Sequence, residues 1–207
     1  MASDPHRAAS DSRAEKRRLR ASLSVRRRVL SPSERTRAGE AAAGHLCASP
    51  ECEGSGRIAL YAALPDEMPT EALFRVLAAR GKQLLLPRLV LEGLAFCAVE
   101  RWADLRAGRL GVLEPPEGSS RIDLEEGDLV LVPGLAFDPE GWRLGRGRGH
   151  YDRSFPPGAE RAPVLFGLAY AFQVVAAVPH DSHDRRMDAI VTERGISRPG
   201  HPSRSSP

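Results

Sequence analysis

The sequence has few cysteines and no long apolar run. Cys47, Cys52 and Cys97 lack the spacing of a disulfide framework, and no second Cys or His pair follows to complete a zinc site. No apolar stretch approaches the roughly 20 residues that cross a bilayer, and residues 1–10 lack the apolar centre of a secretory signal. We therefore expect reduced thiols, no membrane partner and a cytoplasmic protein.

Lysine is also scarce, since Lys16 and Lys82 are the two lysines among 30 basic residues. Residues 1–30 hold nine arginines or lysines against three acids, a balance of +6, so the other 177 residues sum to −3. A basic arm on a mildly acidic body can bind nucleic acid, an anionic surface or a polyanionic small ligand. The charge distribution alone leaves these classes open.

The length and composition suit one globular domain, with 207 residues of which 28% are charged and 42% hydrophobic. We expect the folded domain to span residues 12–196. Residues 1–11 and 197–207 are expected to be disordered tails, because they are rich in Ser, Pro, Arg and His without apolar periodicity. A basic helix is predicted over residues 12–29, with Leu19 and Leu23 on one side.

Capping and turn residues predict the other helices. The run Ser31-Pro32-Ser33-Glu34 has the order of a capping box with Pro at the first helical position, and predicts a helix to about Leu46. Another helix is predicted over Thr70–Arg80, with Thr70 as its cap and Gly81 as its stop. A short helix is predicted near Phe172–Ala177.

Apolar runs between these helices predict buried strands. They are Arg57–Ala63, Gln83–Leu86, Leu94–Val99, Asp128–Val132, Val164–Ala169 and Ala189–Val191. Strands that alternate with helices predict an α/β fold, here a single three-layer αβα domain with a mostly parallel sheet, preceded by the basic N-terminal helix. Because ligands bind beyond the carboxyl ends of such strands, a candidate site follows Val132.

The segment Arg143–Arg153, RLGRGRGHYDR, alternates glycines with basic residues. Gly145, Gly147 and Gly149 allow left-handed backbone angles and a nest of N–H groups around an anion. The arginines add forked donors for phosphate oxygens, and Asp152 adds a hard oxygen ligand suited to Mg²⁺. These residues predict a polyphosphate site. The pattern is neither a Walker A motif nor a dinucleotide fingerprint, and alone it also suits an Arg-Gly loop that binds RNA.

Five segments in matching order resemble the 5-formyltetrahydrofolate cyclo-ligase family, also called 5,10-methenyltetrahydrofolate synthetases. They are the Lys16…Leu19-Arg20 helix with Leu30-Ser31, LYAALPDEMPTEAL from Leu60, LEPPEG from Leu113, Asp128–Arg153 and Gly167–Glu193. The resemblance covers residues 14–196. It implies an enzyme that uses ATP and Mg²⁺ to convert 5-formyltetrahydrofolate, with or without a polyglutamate tail, to 5,10-methenyltetrahydrofolate. We expect a monomer that binds no nucleic acid.

The resemblance also implies a site, residue by residue. For ATP it implies Lys16, Arg20, Arg143, Leu144, Gly145, Arg146, Gly147, Arg148, Gly149, His150 and Tyr151. For the folate it implies Glu67, Arg146, Arg148, Gly149 and His150, and for the metal Asp152 and Asp184. Arg148 and Asp152 are the expected catalytic residues. Lys16 and Arg20 are four residues apart and so share a helix face, whereas the other basic residues of the arm are expected to be solvated.

The chain departs from the family pattern after its last loop glycine. Members usually carry Tyr-Tyr-Asp there, whereas this chain has His150-Tyr151-Asp152. An imidazole can stack or hydrogen-bond like a phenol, but it titrates near pH 6.5. Phe137, Trp142 and Tyr151 are candidates to stack on a pterin or adenine ring, or to serve only as packing. His180 and His183 are not expected as ligands, because oxygen suits Mg²⁺ better.

Two alternatives stay open. One is a non-enzymatic RNA-binding protein that uses the basic helix and the Arg-Gly loop, but the acids Glu67, Asp152 and Asp184 would repel a phosphate backbone. The other is an ATP-dependent ligase or kinase of related fold with a different substrate.

Overall fold

The computed structural model describes residues 5–91, 93–108, 111–158, 162–181 and 184–200, with side chains from residue 11 onward. The helices are α1 (Pro5–Arg28), α2 (Pro32–Cys47), α3 (Pro50–Gly54), α4 (Glu71–Ala79) and α5 (His150–Ser154), with 3-10 turns at Trp102–Asp104 and Ala171–Gln173. The strands are β1 (Arg57–Ala59), β2 (Gln83–Val90), β3 (Gly93–Ala98), β4 (Arg106–Ala107), β5 (Leu113–Glu114), β6 (Leu129–Pro133), β7 (Ala136–Phe137), β8 (Arg143–Leu144), β9 (Val164–Leu168), β10 (Ala189–Thr192) and β11 (Gly195–Ser197).

The main sheet has seven strands in the order β11-β10-β9-β6-β1-β2-β3. Strands β10, β9, β6, β1 and β2 run parallel, and β11 and β3 add antiparallel edges. This arrangement confirms the predicted α/β fold with a mostly parallel sheet. The pairs β4–β5 and β7–β8 form two small antiparallel ribbons, which the sequence patterns did not predict.

Successive residues of each central strand point to opposite faces of the sheet. Ile58, Leu84 and Leu129 pack against α2 and α4 on one face, as the alternation predicts. Their neighbours Ala59, Leu85 and Val130 pack on the other face. That second face is covered by the β7–β8 ribbon and the short helix α5, so the second layer contains less helix than expected.

Helix α1 begins at Pro5, so residues 5–11, expected in a disordered tail, are helical. Leu23 holds α1 to the domain by packing against Ala136 and Leu144. At the other end of the chain, Ser197 belongs to β11 and Arg198 forms a 2.8 Å ion pair with Glu51, against the expectation of disorder from residue 197. Residues 1–4 and 201–207 lie outside the described part.

Helix α2 starts with the predicted capping box. Ser31 Oγ accepts a hydrogen bond from the Glu34 amide at 3.3 Å, and Glu34 Oε2 accepts one from the Ser31 amide at 2.8 Å. Gly81, the predicted stop after α4, has φ +74°, a left-handed angle that favours glycine. These two helix ends are therefore confirmed.

The segment after β1 differs from its prediction. Strand β1 ends at Ala59 rather than Ala63, although the chain stays buried beyond it. Thr70 stands at the N-cap of α4, but its hydroxyl does not cap the helix. It donates to the Tyr61 carbonyl at 2.5 Å and accepts from the Ala63 amide at 3.2 Å. The chain therefore folds back toward α4 instead of extending the strand.

The three cysteines are free and buried. Burial raises the pKa of Cys52 to about 11 and also raises the pKa of Cys97, so these two thiols stay protonated and unreactive. Among the described residues no helix is long and apolar enough to cross a membrane.

Candidate active site

A cleft of about 540 Å³ opens beyond the carboxyl ends of β1 and β6. The chain runs from β1 to β2 on one side and later returns to β6 on the other, so the cleft lies at the switch point of the sheet. All residues that the sequence assigned to the site line it. They are Lys16, Arg20, Glu67, Arg143, Leu144, Gly145, Arg146, Gly147, Arg148, Gly149, His150, Tyr151, Asp152 and Asp184.

The glycine loop is held at its base by a buried carboxylate, Asp138. Its Oδ1 accepts hydrogen bonds from the amides of Glu140 and Trp142 at 3.0 and 2.9 Å. Its Oδ2 accepts one from the Val178 amide at 2.8 Å. Asp138 was assigned no role from the sequence, although Asp before Pro-Glu-Gly is a turn signal. This residue fixes the β7–β8 ribbon from which the loop extends.

Two loop glycines adopt the predicted left-handed conformation. Gly147 has φ +93° and Gly149 φ +64°. Gly145 is needed for space instead, since a Cβ there would lie 2.7 Å from Arg143 Nη1. The amides of residues 145–149 donate no hydrogen bond to another described residue. They are therefore available to an anion, as a nest requires.

Helix α1 brings two basic side chains to this loop. Arg20 Nε donates to the Gly145 carbonyl at 3.0 Å. Lys16 Nζ lies 2.8 Å from Asp181 Oδ2 and 4.0 Å from Asp184 Oδ2. Both side chains line the cleft from the same helix face, as their spacing predicts.

Asp152 is oriented by Arg143. Arg143 Nη2 donates to Asp152 Oδ1 at 2.6 Å, and its Nη1 donates to the Pro133 carbonyl at 3.3 Å. The same guanidinium lies 5.7 Å from the Tyr151 ring centre. Because the Arg143 side chain is only 6% exposed, it acts as a fixed support for the carboxylate.

Asp152 and Asp184 are the two predicted metal ligands, and both line the cleft. The described residues contain no group of three or more His, Cys, Asp or Glu that could hold a metal ion by itself. Mg²⁺ in nucleotide sites usually takes one or two carboxylates together with substrate phosphates, so this donor set fits it. His180 stacks on Trp142 with 3.7 Å between ring centres, and His183 lies outside the described residues.

A network of two arginines and two acids joins the glycine loop to the segment after β1. Arg146 Nη2 lies 2.9 Å from Asp66 and 3.3 Å from Glu67. Arg27 is 1% exposed and also donates to Asp66, so the expectation of a solvated side chain was wrong for this residue. Burial opposes ionisation of Asp66, but the two arginines lower its pKa overall. Glu67 Oε2 accepts from the Leu64 amide at 3.0 Å.

The aromatic candidates separate into lining and packing residues. Tyr151 lines the cleft, and burial, followed by the charge of Glu67, raises its pKa above the usual value. Phe137 is fully buried and fills the space beside Gly134 and Gly167. Trp142 stacks with His180 and does not line the cleft. Phe137 and Trp142 are therefore packing residues.

His150 is a neutral side chain at neutral pH. Burial first, and then the charges of Arg153 and Arg148, lower its pKa. Its Nδ1 lies 3.0 Å from Arg153 Nη2 and must accept, since a guanidinium can only donate. The proton therefore sits on Nε2, which is buried without a hydrogen-bond partner among the described residues.

The other end of the cleft contains residues to which no site role was assigned from the sequence. Its walls are apolar and include Pro87, Leu89, Leu94 and Val112. One carboxylate, Glu114, lies among them. Leu89 belongs to β2 and Leu94 to its partner strand β3. Glu114 belongs to β5, within the LEPPEG segment, and its carboxylate accepts a hydrogen bond from the Leu89 amide. The resemblance assigned no site role to that segment.

Comparison with known proteins gives one consistent family. A family model described as the 5-formyltetrahydrofolate cyclo-ligase family matches residues 12–193. The 5-formyltetrahydrofolate cyclo-ligase of Mus musculus is 32% identical over 189 residues, covering 86% of this chain and 93% of the relative. The enzyme of the same name from Mycolicibacterium smegmatis is also 32% identical, covering 87% and 95%. The NMR structure of Aquifex aeolicus 5,10-methenyltetrahydrofolate synthetase superposes with a TM-score of 0.75 at 32% identity, covering 92% of this chain and 99% of that one. The chain therefore belongs to the 5-formyltetrahydrofolate cyclo-ligase family.

Proposed function

We propose that this protein uses ATP and Mg²⁺ to convert 5-formyltetrahydrofolate to 5,10-methenyltetrahydrofolate, releasing ADP and phosphate. The observation that carries the proposal is the division of one cleft into two chemically different ends. Lys16, Arg20 and the open amides of residues 145–149 surround one end. Apolar side chains surround the other. A polyphosphate and a flat organic ring could thus meet in a single site.

The chemistry explains why the reaction needs ATP. The N5-formyl group is an amide, so its carbon is a poor electrophile and its oxygen a poor leaving group. Transfer of the γ-phosphoryl group to that oxygen releases ADP and gives an iminium-like phosphate ester. N10 then attacks the carbon and loses its proton, and phosphate departs with its electron pair as the ring closes. The protein supplies positioning and charge stabilisation.

Different cleft residues are proposed to bind the nucleotide, the metal and the folate. Lys16, Arg20 and the loop amides would bind the nucleotide phosphates, and Arg148 would stabilise charge on the transferred group. Asp152, held by Arg143, and Asp184 would hold Mg²⁺, which neutralises phosphate charge when bound. Glu67 is proposed to contact the folate.

We also propose that the enzyme works as a monomer in the cytoplasm. Every residue to which the proposed mechanism gives a role lines this one cleft. The free, buried cysteines suit a reducing compartment. Light scattering during turnover would measure the active species, and activity confined to a dimer would contradict the proposal.

The direct test mixes the protein with Mg-ATP and 5-formyltetrahydrofolate and follows the near-ultraviolet absorbance of the methenyl product. The absorbance should rise only when ATP is present. Turnover of another acyl-amine but not of this folate would indicate a related ligase. Salt-sensitive RNA binding without turnover would indicate the RNA-binding alternative.

The two proposed catalytic residues give the first prediction. Arg148→Ala and Asp152→Ala should each lower kcat by about a hundredfold or more, because charge stabilisation at the reacting group is lost. Their controls are Arg75→Ala and Asp123→Ala, which change exposed side chains outside the cleft. Asp152→Asn retains an acceptor for Arg143 and separates loss of charge from loss of support. Near-normal kcat in both alanine variants would show that the site is misplaced.

A further inference from the structure

Glu114 is a carboxylate inside the apolar end of the cleft. It is 6% exposed, whereas Glu117, three residues later, is exposed. The same cleft is lined by Leu89, whose amide donates a hydrogen bond to Glu114, and by Leu94 and Val112. A charged group is costly among apolar side chains unless donors satisfy its oxygens. Its presence there therefore calls for a reason beyond packing.

The protein satisfies only part of this carboxylate. Glu114 Oε2 accepts a hydrogen bond from the Leu89 amide at 3.3 Å, at the long end of the range. Its Oε1 is buried and has no hydrogen-bond partner among the described residues. An ionised carboxylate can accept about four hydrogen bonds, so the described residues satisfy only a small part of its capacity.

The position of this carboxylate is fixed by its neighbours. Glu114 lies in β5, directly paired with Arg106 of β4. Gly108 covers the side chain so closely that a Cβ there would lie 2.3 Å from Glu114 Cδ. The ribbon thus holds the carboxylate against β2, at a place where Glu114 lines the cleft.

The other acid proposed to contact the folate, Glu67, is already engaged. Glu67 Oε2 accepts from the Leu64 amide at 3.0 Å, and its Oε1 lies 3.3 Å from Arg146. Glu67 therefore belongs to the charged network near the glycine loop. Glu114 differs in having an oxygen without a donor among the described residues.

Resting on the proposed cyclo-ligase function, we propose that Glu114 binds the folate by accepting hydrogen bonds from the amino and ring N–H groups of its pterin. A pterin offers adjacent N–H donors on the edge of a flat ring. The apolar walls cover the faces of that ring, while the carboxylate fixes its rotation. The reactive formyl group is thereby directed toward the phosphate-binding end. Glu114 is in this account a substrate-positioning residue.

Glu114→Gln tests the proposal with little change of volume, and Glu117→Gln is the matched control on the exposed surface. Loss of one charged acceptor should raise the folate KM about tenfold or more. The ATP KM should stay within about twofold, because the nucleotide binds at the other end of the cleft. A purely structural role for Glu114 would instead lower the melting temperature and shift both KM values together.

A substrate lacking the pterin amino group gives a second, independent readout. With this analogue, kcat/KM of the wild-type enzyme should be about tenfold or more below its value with the normal folate. The loss should be much smaller in Glu114→Gln, because this variant already lacks the carboxylate that accepts from the amino group. Equal losses of kcat/KM in both proteins would overturn the proposal, as would an unchanged folate KM in Glu114→Gln.

If Glu114→Gln does not fold, Glu114→Asp replaces it in both comparisons. Aspartate keeps the charge but has a shorter side chain, and the same outcomes decide the proposal. Absence of wild-type turnover would instead refute the cyclo-ligase function itself.

Discussion

His150 shows how one residue can tune this site. Its pKa is lowered by burial and by two neighbouring arginines, so the folded protein favours the neutral ring. Between the lowered pKa and the ordinary value near 6.5, the unfolded chain binds more protons than the folded one. The stability that the neutral ring contributes is therefore complete above about pH 6.5 and is lost as the pH falls through the lowered pKa.

The variant His150→Tyr restores the usual residue of the family and tests the titration of this ring. The variant should lose less stability than the wild type on acidification from pH 7.5 to pH 5.5, because a phenol takes up no proton in that range. Denaturant unfolding at both pH values measures the difference. The same acid sensitivity in both proteins would mean that His150 is not the titrating group.

Glu67 gives a second prediction at the residue scale. Glu67→Gln should raise the folate KM more than the ATP KM, because it removes the charged acceptor that is proposed to contact the folate. Steady-state kinetics with each substrate varied in turn provides the comparison, with Glu117→Gln as the exposed control. Equal changes in the two KM values would argue against a folate role.

Site residues could be predicted from the sequence where their role depends on residues nearby in the chain. Lys16 and Arg20 share a helix face, and the glycine loop needs its special backbone angles whatever surrounds it. Arg27 and Glu114 were missed because their partners are far away in sequence. Arg27 donates a hydrogen bond to Asp66, and Glu114 accepts one from the Leu89 amide of β2. Neither contact leaves a periodic pattern near the residue.

At the scale of elements, the β7–β8 ribbon depends on glycines beneath it. A Cβ on Gly167 would lie 2.4 Å from Phe137, which fills the space between β9 and the ribbon. Gly167→Ala should therefore destabilise the protein by about 1–3 kcal/mol through overpacking. Gly44→Ala is the control, because nothing lies within 4 Å of the added methyl in α2.

The control should be stabilising by about 0.5–1 kcal/mol, since alanine favours a helix over glycine. Urea unfolding of both variants measures the two changes. If Gly167→Ala proved as stable as the wild type, the tight contact between β9 and Phe137 would not hold in solution. Displacement of the ribbon should also lower kcat, because the glycine loop extends from it.

Element boundaries were predicted correctly where neighbouring residues determine them, and wrongly where a contact across a turn does. The capping box predicted the start of α2 correctly because its hydrogen bonds join neighbouring residues. Strand β1 was predicted too long because the run to Ala63 is apolar. The Thr70 hydroxyl bonds the backbone of that run, and this contact across a turn cannot be read from hydropathy. The two-residue strands of the ribbons are too short for any periodicity to reveal.

At the scale of the molecule, strand order places the site. The alternation of strands and helices predicted a mostly parallel sheet, but the order of its strands depends on crossovers that local patterns do not specify. The observed order puts β1 between β2 and β6. Loops that follow β1 and β6 then diverge to opposite sides and open the cleft at the switch point. Helix α1 closes one side of it through Leu23.

The most direct measurement of the central claim follows the formyl oxygen through the reaction. A 5-formyltetrahydrofolate with a heavy oxygen isotope in its formyl group is converted by the protein with Mg-ATP, and the released phosphate is examined by mass spectrometry. We predict one heavy oxygen in each phosphate released with the methenyl product, because the γ-phosphoryl group is transferred to the formyl oxygen. Phosphate without the label, or no methenyl product at all, would contradict the account.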